Sequence, residues 1–134
     1  MSAKPLPVFF LDRNFGSKTV PAALREAGIP VEVADDHFPR DARDEAWLAE
    51  VGERGWYVIT LDERIRYRRL EQRAVRDHSV GLFVLVRWKG STGATMAQAL
   101  ILAMPKMLRL VAKQDRPFIA KVHGDGRVAV WLTF

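Results

Sequence analysis

The sequence predicts an α/β fold, a mostly parallel sheet flanked by helices with a C-terminal antiparallel hairpin. Three observations carry this. Short, wholly apolar runs recur at VFFL (residues 8–11), WYVITL (56–61) and VGLFVLV (80–86), the pattern of strands buried on both faces. Segments with apolar residues spaced by three and four lie between or after them. The tail, PFIAKVHGDGRVAVWLTF, holds two strand-like runs about His123-Gly124-Asp125-Gly126, where Asp-Gly tolerates the positive φ of a tight turn.

In chain order, VFFL is followed by GSKTVPAALREAGI, a helix with Val20, Ala23, Leu24 and Ala27 at helical spacing, Ser17 as its expected cap and Gly28 as its stop. IPVEVA supplies the second strand, with Val31 and Val33 on one side, and DDHFPRDARD is a polar loop. DEAWLAEVGERG reads as a helix with Trp47, Leu48 and Val51 inward, closed by Gly55 ahead of the strand WYVITL. Beyond the fourth strand, GSTGATMAQALILAMPKMLRLVAK repeats Met96, Leu100, Ile101, Met104, Met107, Leu108 and Val111 at helical spacing, with Pro105 expected to kink or restart the helix. Its Ala and Met content predicts an apolar strip open to a partner.

The 134 residues and 49% hydrophobic content suit one domain over residues 1–134. Cysteine is absent, which excludes a disulfide framework and a thiolate zinc site. The opening MSAKPLPVFFL, broken by two prolines, is too short for a signal core or a membrane span, so a cytoplasmic protein is expected. Twenty-one Lys and Arg against sixteen Asp and Glu give a net charge of +5, which favours polyanions such as nucleic acid or an acidic protein.

Two of the apolar runs end on a carboxylate, Asp12 after VFFL and Asp62 after WYVITL. Ligands of open parallel sheets bind outside the carboxyl ends of the strands, so both acids are candidates for one crevice. Asp44 opens the DEAWLAEVGERG helix near that edge, with Asp41 and Glu45 as alternatives for the third position. Like charges so placed raise one another's pKa unless a counter-charge intervenes, and carboxylate oxygens are the usual ligands of Mg²⁺ or Mn²⁺. The structural alternatives are a helix cap at Asp44 and turn-forming roles for Asp12 and Asp62.

Six arginines lie between residues 64 and 76. In RIRYR, an extended backbone would turn Arg64, Arg66 and Arg68 to one side as a comb for phosphates, with Ile65 and Tyr67 on the other. The alternative is a solvated face paired with Glu63 and Glu71. Other chemistry is thin. His37, His78 and His123 lack metal-ligand spacing, GSTGATM lacks the lysine of a phosphate loop, and Ser17 and Ser91 have no neighbouring base.

With FFLDRNFG, DEAWLAEVGERGW and LDERIRYRRLE in order, residues 8–90 resemble the PIN-like domain family, in its VapC-type toxin branch. The resemblance implies a parallel α/β sheet with an acidic metal cluster at its carboxyl edge. It also implies Mg²⁺- or Mn²⁺-dependent RNA cleavage. Carried over by position, Asp12, Asp44 and Asp62 become the catalytic and metal-binding acids, with Glu63, Glu71 or Asp77 open as a fourth, and Arg64, Arg66 and Arg68 the RNA contacts. The expected partners are an RNA substrate, a cognate antitoxin protein and further copies of the chain, with no membrane. The sequence departs from the family pattern at Leu61, where related chains often carry Lys, and at Arg69, where they usually have Pro.

Two other readings share these residues. A receiver-like phosphoacceptor domain also gathers acids at its first and third strands, but it needs a late-strand lysine, and here Arg87 follows GLFVLV. A non-catalytic RNA- or protein-binding module would keep the fold without the chemistry.

Overall fold

A computed structural model describes residues 6–134, so the first five residues of the opening segment lie outside the described residues. Six strands form one sheet: β1 (Phe9–Leu11), β2 (Val31–Val33), β3 (Tyr57–Thr60), β4 (Gly81–Leu85), β5 (Phe118–Val122) and β6 (Val128–Thr133). Their order across the sheet is β2-β1-β3-β4-β5-β6, with every pair parallel except the β5–β6 hairpin. The hairpin turn places Gly126 at φ 89°.

Four α-helices cover the sheet: α1 (Thr19–Glu26), α2 (Asp44–Arg54), α3 (Arg69–Asp77) and α4 (Gly93–Lys113). Alternating side chains of each strand feed opposite faces, as the pleat requires. Phe9, Leu11, Ile59, Phe83 and Phe118 pack with Leu24 of α1 and Leu100 and Met107 of α4. Phe10, Val58, Leu82 and Ile119 pack on the other face with Leu48 and Val51 of α2 and Ala74 and Val75 of α3. Burial on both faces explains why these strands are almost wholly apolar.

Several local expectations change. Ser17 does not cap α1; Lys18 occupies that position and makes no side-chain capping bond. Helix α4 runs without a break through Pro105, and its cap is Thr92 in a reciprocal pair with Thr95. Met104 and Met107 are core residues, while the exposed apolar side chains of α4 are Ile101 and Leu102. By length and hydropathy α4 could cross a membrane, yet its Ala97, Leu100, Ala103 and Met107 are buried in the core. Helix α3 forms within the arginine-rich segment, for which the sequence reading proposes no helix.

α2 and α3 bring their carboxyl ends together closely. A Cβ at Gly52 would overlap the carbonyl oxygen of His78, so only glycine fits there. Their amino ends, which carry Asp44 and Glu71, meet at the same small cavity. The two helices are therefore roughly parallel, with their positive dipole ends toward the carboxyl edge of the sheet.

Candidate active site

β1 leads to β2 on one side and β3 lies on the other, so the connections diverge at the β1–β3 pair. That divergence opens a crevice at the carboxyl ends of the two strands. Asp12 follows β1 and Asp62 follows β3 by two residues. Asp12, Asp44, Asp62 and Glu71 line one cavity of about 30 Å³, together with Thr60, Trp47 and Ile65. That volume matches about one water molecule's share of liquid.

Asp12 and Asp62 both take the turn-forming role weighed as their structural alternative, and both line the cavity. Each opens a 3-10 turn, Arg13–Phe15 and Glu63–Tyr67 respectively, and accepts a backbone N–H from that turn. Oδ1 of Asp12 receives the N–H of Arg13 at 2.6 Å, while Oδ2 receives the hydroxyl of Thr60 at 2.7 Å. Thr60, which is only 3% exposed, also accepts the N–H of Asp62 at 3.1 Å. One hydroxyl thus joins the two strand ends. Asn14 adds a further link, with Nδ2 3.4 Å from both Asp12 Oδ2 and Thr60 Oγ1.

Asp44 is the first residue of α2 rather than its cap, a position held by Arg43. Its Oδ1 accepts the indole N–H of Trp47 at 3.0 Å. Glu45 lies in a neighbouring cavity, and Asp41 lines neither. Of the candidates for a fourth acid, Glu71 reaches the site; Asp77 lines the neighbouring cavity and Glu63 points to one beside Trp131.

The arginine comb requires correction. Residues 63–67 form a 3-10 turn, because the Asp62 side chain caps the backbone there, so Arg64, Arg66 and Arg68 do not alternate along a strand. Arg64 Nε meets Asp62 Oδ1 at 3.0 Å, and Arg68 Nη1 bridges Asp62 Oδ2 at 3.2 Å and Glu71 Oε1 at 2.9 Å. Arg66 lies over the rings of Tyr67 and Trp131. The three guanidinium groups therefore serve the site's own carboxylates and aromatics.

These contacts set the acids apart electrostatically. Burial pushes the Asp12 carboxyl above its ordinary range; the bonds from Thr60 and Arg13 oppose this, and the charges of Asp44 and Asp62 add to it. Burial acts the same way on Asp62, but the hydrogen bonds and charge of Arg64, with the charge of Arg68, more than offset it and hold Asp62 low. Glu71 is raised, first by burial and then by Asp44, despite its bond to Arg68. Acids pushed in opposite directions within one crevice are the pattern used for acid and base roles in active sites, and also arise in structural ion-pair networks.

The all-oxygen donor set and the negative charge gathered about half-buried Asp12 fit a hard divalent cation. Among the described residues, however, no three carboxylate or imidazole groups stand close enough to hold an ion as placed. The histidines do not converge: His37 pairs with Glu32, and His123 lies in a different cavity. Thr60 and Asn14 were missed by sequence reasoning. A threonine in an apolar run reads as a strand former.

Comparison with known proteins agrees with this architecture. A family model described as "PIN like domain" matches residues 7–87, the segment that carries all four acids. The chain is 30% identical over 125 residues to "Putative ribonuclease VapC45" of Mycobacterium tuberculosis, covering 90% of this chain and 89% of that protein. No solved structure matches. With a family match over more than half its length and a relative aligned almost end to end, this chain belongs to the PIN-like domain family, in its VapC-type branch.

Proposed function

We propose that this protein is a metal-dependent endoribonuclease, the toxin of a toxin–antitoxin pair. The observation that carries the reading is the convergence of Asp12, Asp44, Asp62 and Glu71 at the carboxyl edge of β1 and β3. The printed name of the Mycobacterium tuberculosis relative, a ribonuclease, supports the same activity. Asp12, Asp44 and Asp62, with Glu71, are the residues that would hold Mg²⁺ or Mn²⁺. When bound, such an ion polarises a phosphate oxygen and lowers the pKa of a water.

The chain's own contribution is positional. Thr60 and the Arg13 N–H fix both oxygens of Asp12, and Trp47 orients Asp44 toward the cavity. Arg64 and Arg68 keep Asp62 ionised. With water as the nucleophile and the 3′ oxygen as the leaving group, the P–O3′ bond breaks and the products carry a 5′-phosphate and a 3′-hydroxyl. On this reading the protein acts in the cytoplasm as one domain over residues 1–134, self-association is compatible with it, and its partners are RNA and a cognate antitoxin.

A second reading has one observation in its favour. Asp62 is already neutralised by two arginines, which suits a binding module that has lost catalysis. Incubating the purified protein with single-stranded RNA in Mg²⁺, Mn²⁺ or EDTA separates the two. Metal-dependent cleavage with 5′-phosphate ends, lost in Asp12→Asn, supports the nuclease; binding without cleavage in any metal supports the module.

A further inference from the structure

A cavity of about 610 Å³ lies apart from the acid site. It lies beyond β4 and β5 on the α4 side of the same carboxyl edge, lined by Arg87, Trp88, Gln98, Leu102 and His123 among others. Its volume falls in the range of ligand sites, ~300–1,000 Å³.

Trp88 is 36% exposed, and its six-membered ring is braced by the hairpin: a Cβ at Gly124 would come within 2.9 Å of Cε3 and Cζ3. A supported, half-exposed indole is a stacking platform for a planar ring. Arg127 is committed to Asp125, through Nε and Oδ2 at 2.7 Å. Arg87 is exposed and has no ion-pair or side-chain hydrogen-bond partner among the described residues. An aromatic face beside a free guanidinium is the recognition chemistry of a single-stranded nucleotide.

The position is apt as well. β5 lies two strands from β3, about 10 Å at the usual strand spacing. Arg64, Arg66 and Arg68, which follow Asp62, are occupied by carboxylates or aromatic rings, so the flanking phosphates fall to other cations, Arg87 among them.

We infer that this cavity is a subsite for RNA flanking the scissile phosphate, with one base stacked on Trp88 and an adjacent phosphate on Arg87. The inference rests on the ribonuclease reading. It assigns the second face of the carboxyl edge to substrate.

The test is fluorescein-labelled single-stranded RNA of mixed sequence, bound to the whole protein in EDTA and followed by anisotropy. Trp88→Leu should weaken binding roughly five- to tenfold, and Trp88→Phe should restore most of it. Arg87→Gln, a surface change, should weaken binding and lower the salt slope by somewhat under one unit. Gly124→Ala, which displaces the ring without removing it, should resemble Trp88→Leu. In cleavage assays Trp88→Leu, Arg87→Gln and Gly124→Ala should raise KM and leave kcat near wild type. If wild type cuts RNA but all four variants bind like wild type, the subsite falls and the nuclease stands. If wild type neither binds nor cuts RNA, both fall. If adenosine monophosphate fills the cavity at lower concentration than the RNA, the occupant is a free nucleotide and the inference is overturned.

Discussion

The buried hydroxyl of Thr60 donates to Oδ2 of the half-buried Asp12 at 2.7 Å, at the junction of β1 and β3. Because the same oxygen receives the N–H of Asp62, Thr60 controls the relative placement of the two strand-end acids.

Thr60→Val preserves the side-chain shape and deletes these two bonds and the long one from Asn14. It should cost about 1–3 kcal/mol, the range for losing a hydrogen bond to a charged, partly buried group, and reduce cleavage by more than the loss of folded protein explains. Thr60→Ser should retain most of both. Chemical denaturation beside an RNA cleavage assay tests this; a Val variant with normal activity would show that the hydroxyl only stabilises the fold.

Asp12→Asn should change stability at neutral pH by less than about 1 kcal/mol, since relief of repulsion offsets one lost acceptor. It should nevertheless abolish metal-dependent cleavage, as should Asp62→Asn, with the double variant no worse than either. The raised Asp12 pKa means the folded state binds its proton more tightly than the unfolded state does. Its contribution is therefore most favourable at low pH and is lost as pH rises from the ordinary aspartate range through the raised value. Stability of wild type relative to Asp12→Asn should grow on acidification across that window. Thermal melts over the acid range give the answer, and a constant difference would refute the assignment.

Arg64→Ala with Arg68→Ala should act on the metal rather than on RNA. Removing both guanidiniums frees the oxygens of Asp62, so Mn²⁺ should bind more tightly by calorimetry. The low pKa of Asp62 means that its ion pairs stabilise the fold above the ordinary aspartate range and fade as pH falls through the lowered value; the double variant should lack that acid sensitivity. The salt slope of RNA binding should barely move. A fall approaching two units, with metal affinity unchanged, would mean these arginines face the substrate after all.

Gly52→Ala should destabilise the protein by about 1–3 kcal/mol although alanine favours helices, because its methyl group meets the His78 carbonyl rather than a yielding side chain. Equilibrium unfolding measures it. A stabilised variant would show that α2 and α3 separate at little cost.

What could be read from the chain divides along physical lines. β1, β3 and β4 were legible because burial on both faces leaves no polar position in the run, and Gly28, Gly55 and Gly126 marked turns by their positive φ. Asp12 and Asp62 were legible because a carboxylate ending an apolar strand is conspicuous. α3 was not, since Leu70 is exposed and only Ala74 and Val75 are buried, too few to make a stripe. The convergence of Glu71 with Asp44 depends on the packing of two helices, which sequence spacing does not encode. The comb failed because Asp62 caps its own backbone and curls the following residues.

The pairing of β1 with β3, Phe9 opposite Tyr57 and Leu11 opposite Ile59, also has a kinetic consequence. The two acids come together only after a contact is closed across nearly fifty residues, around an intervening strand and two helices. The core on the other face waits still longer, for Leu100 and Met107 near the end of synthesis. A growing chain therefore carries every carboxylate of the site before it has the site, and chains truncated before Gly81 should be inert toward RNA. On the ribonuclease reading, that delay separates manufacture from activity.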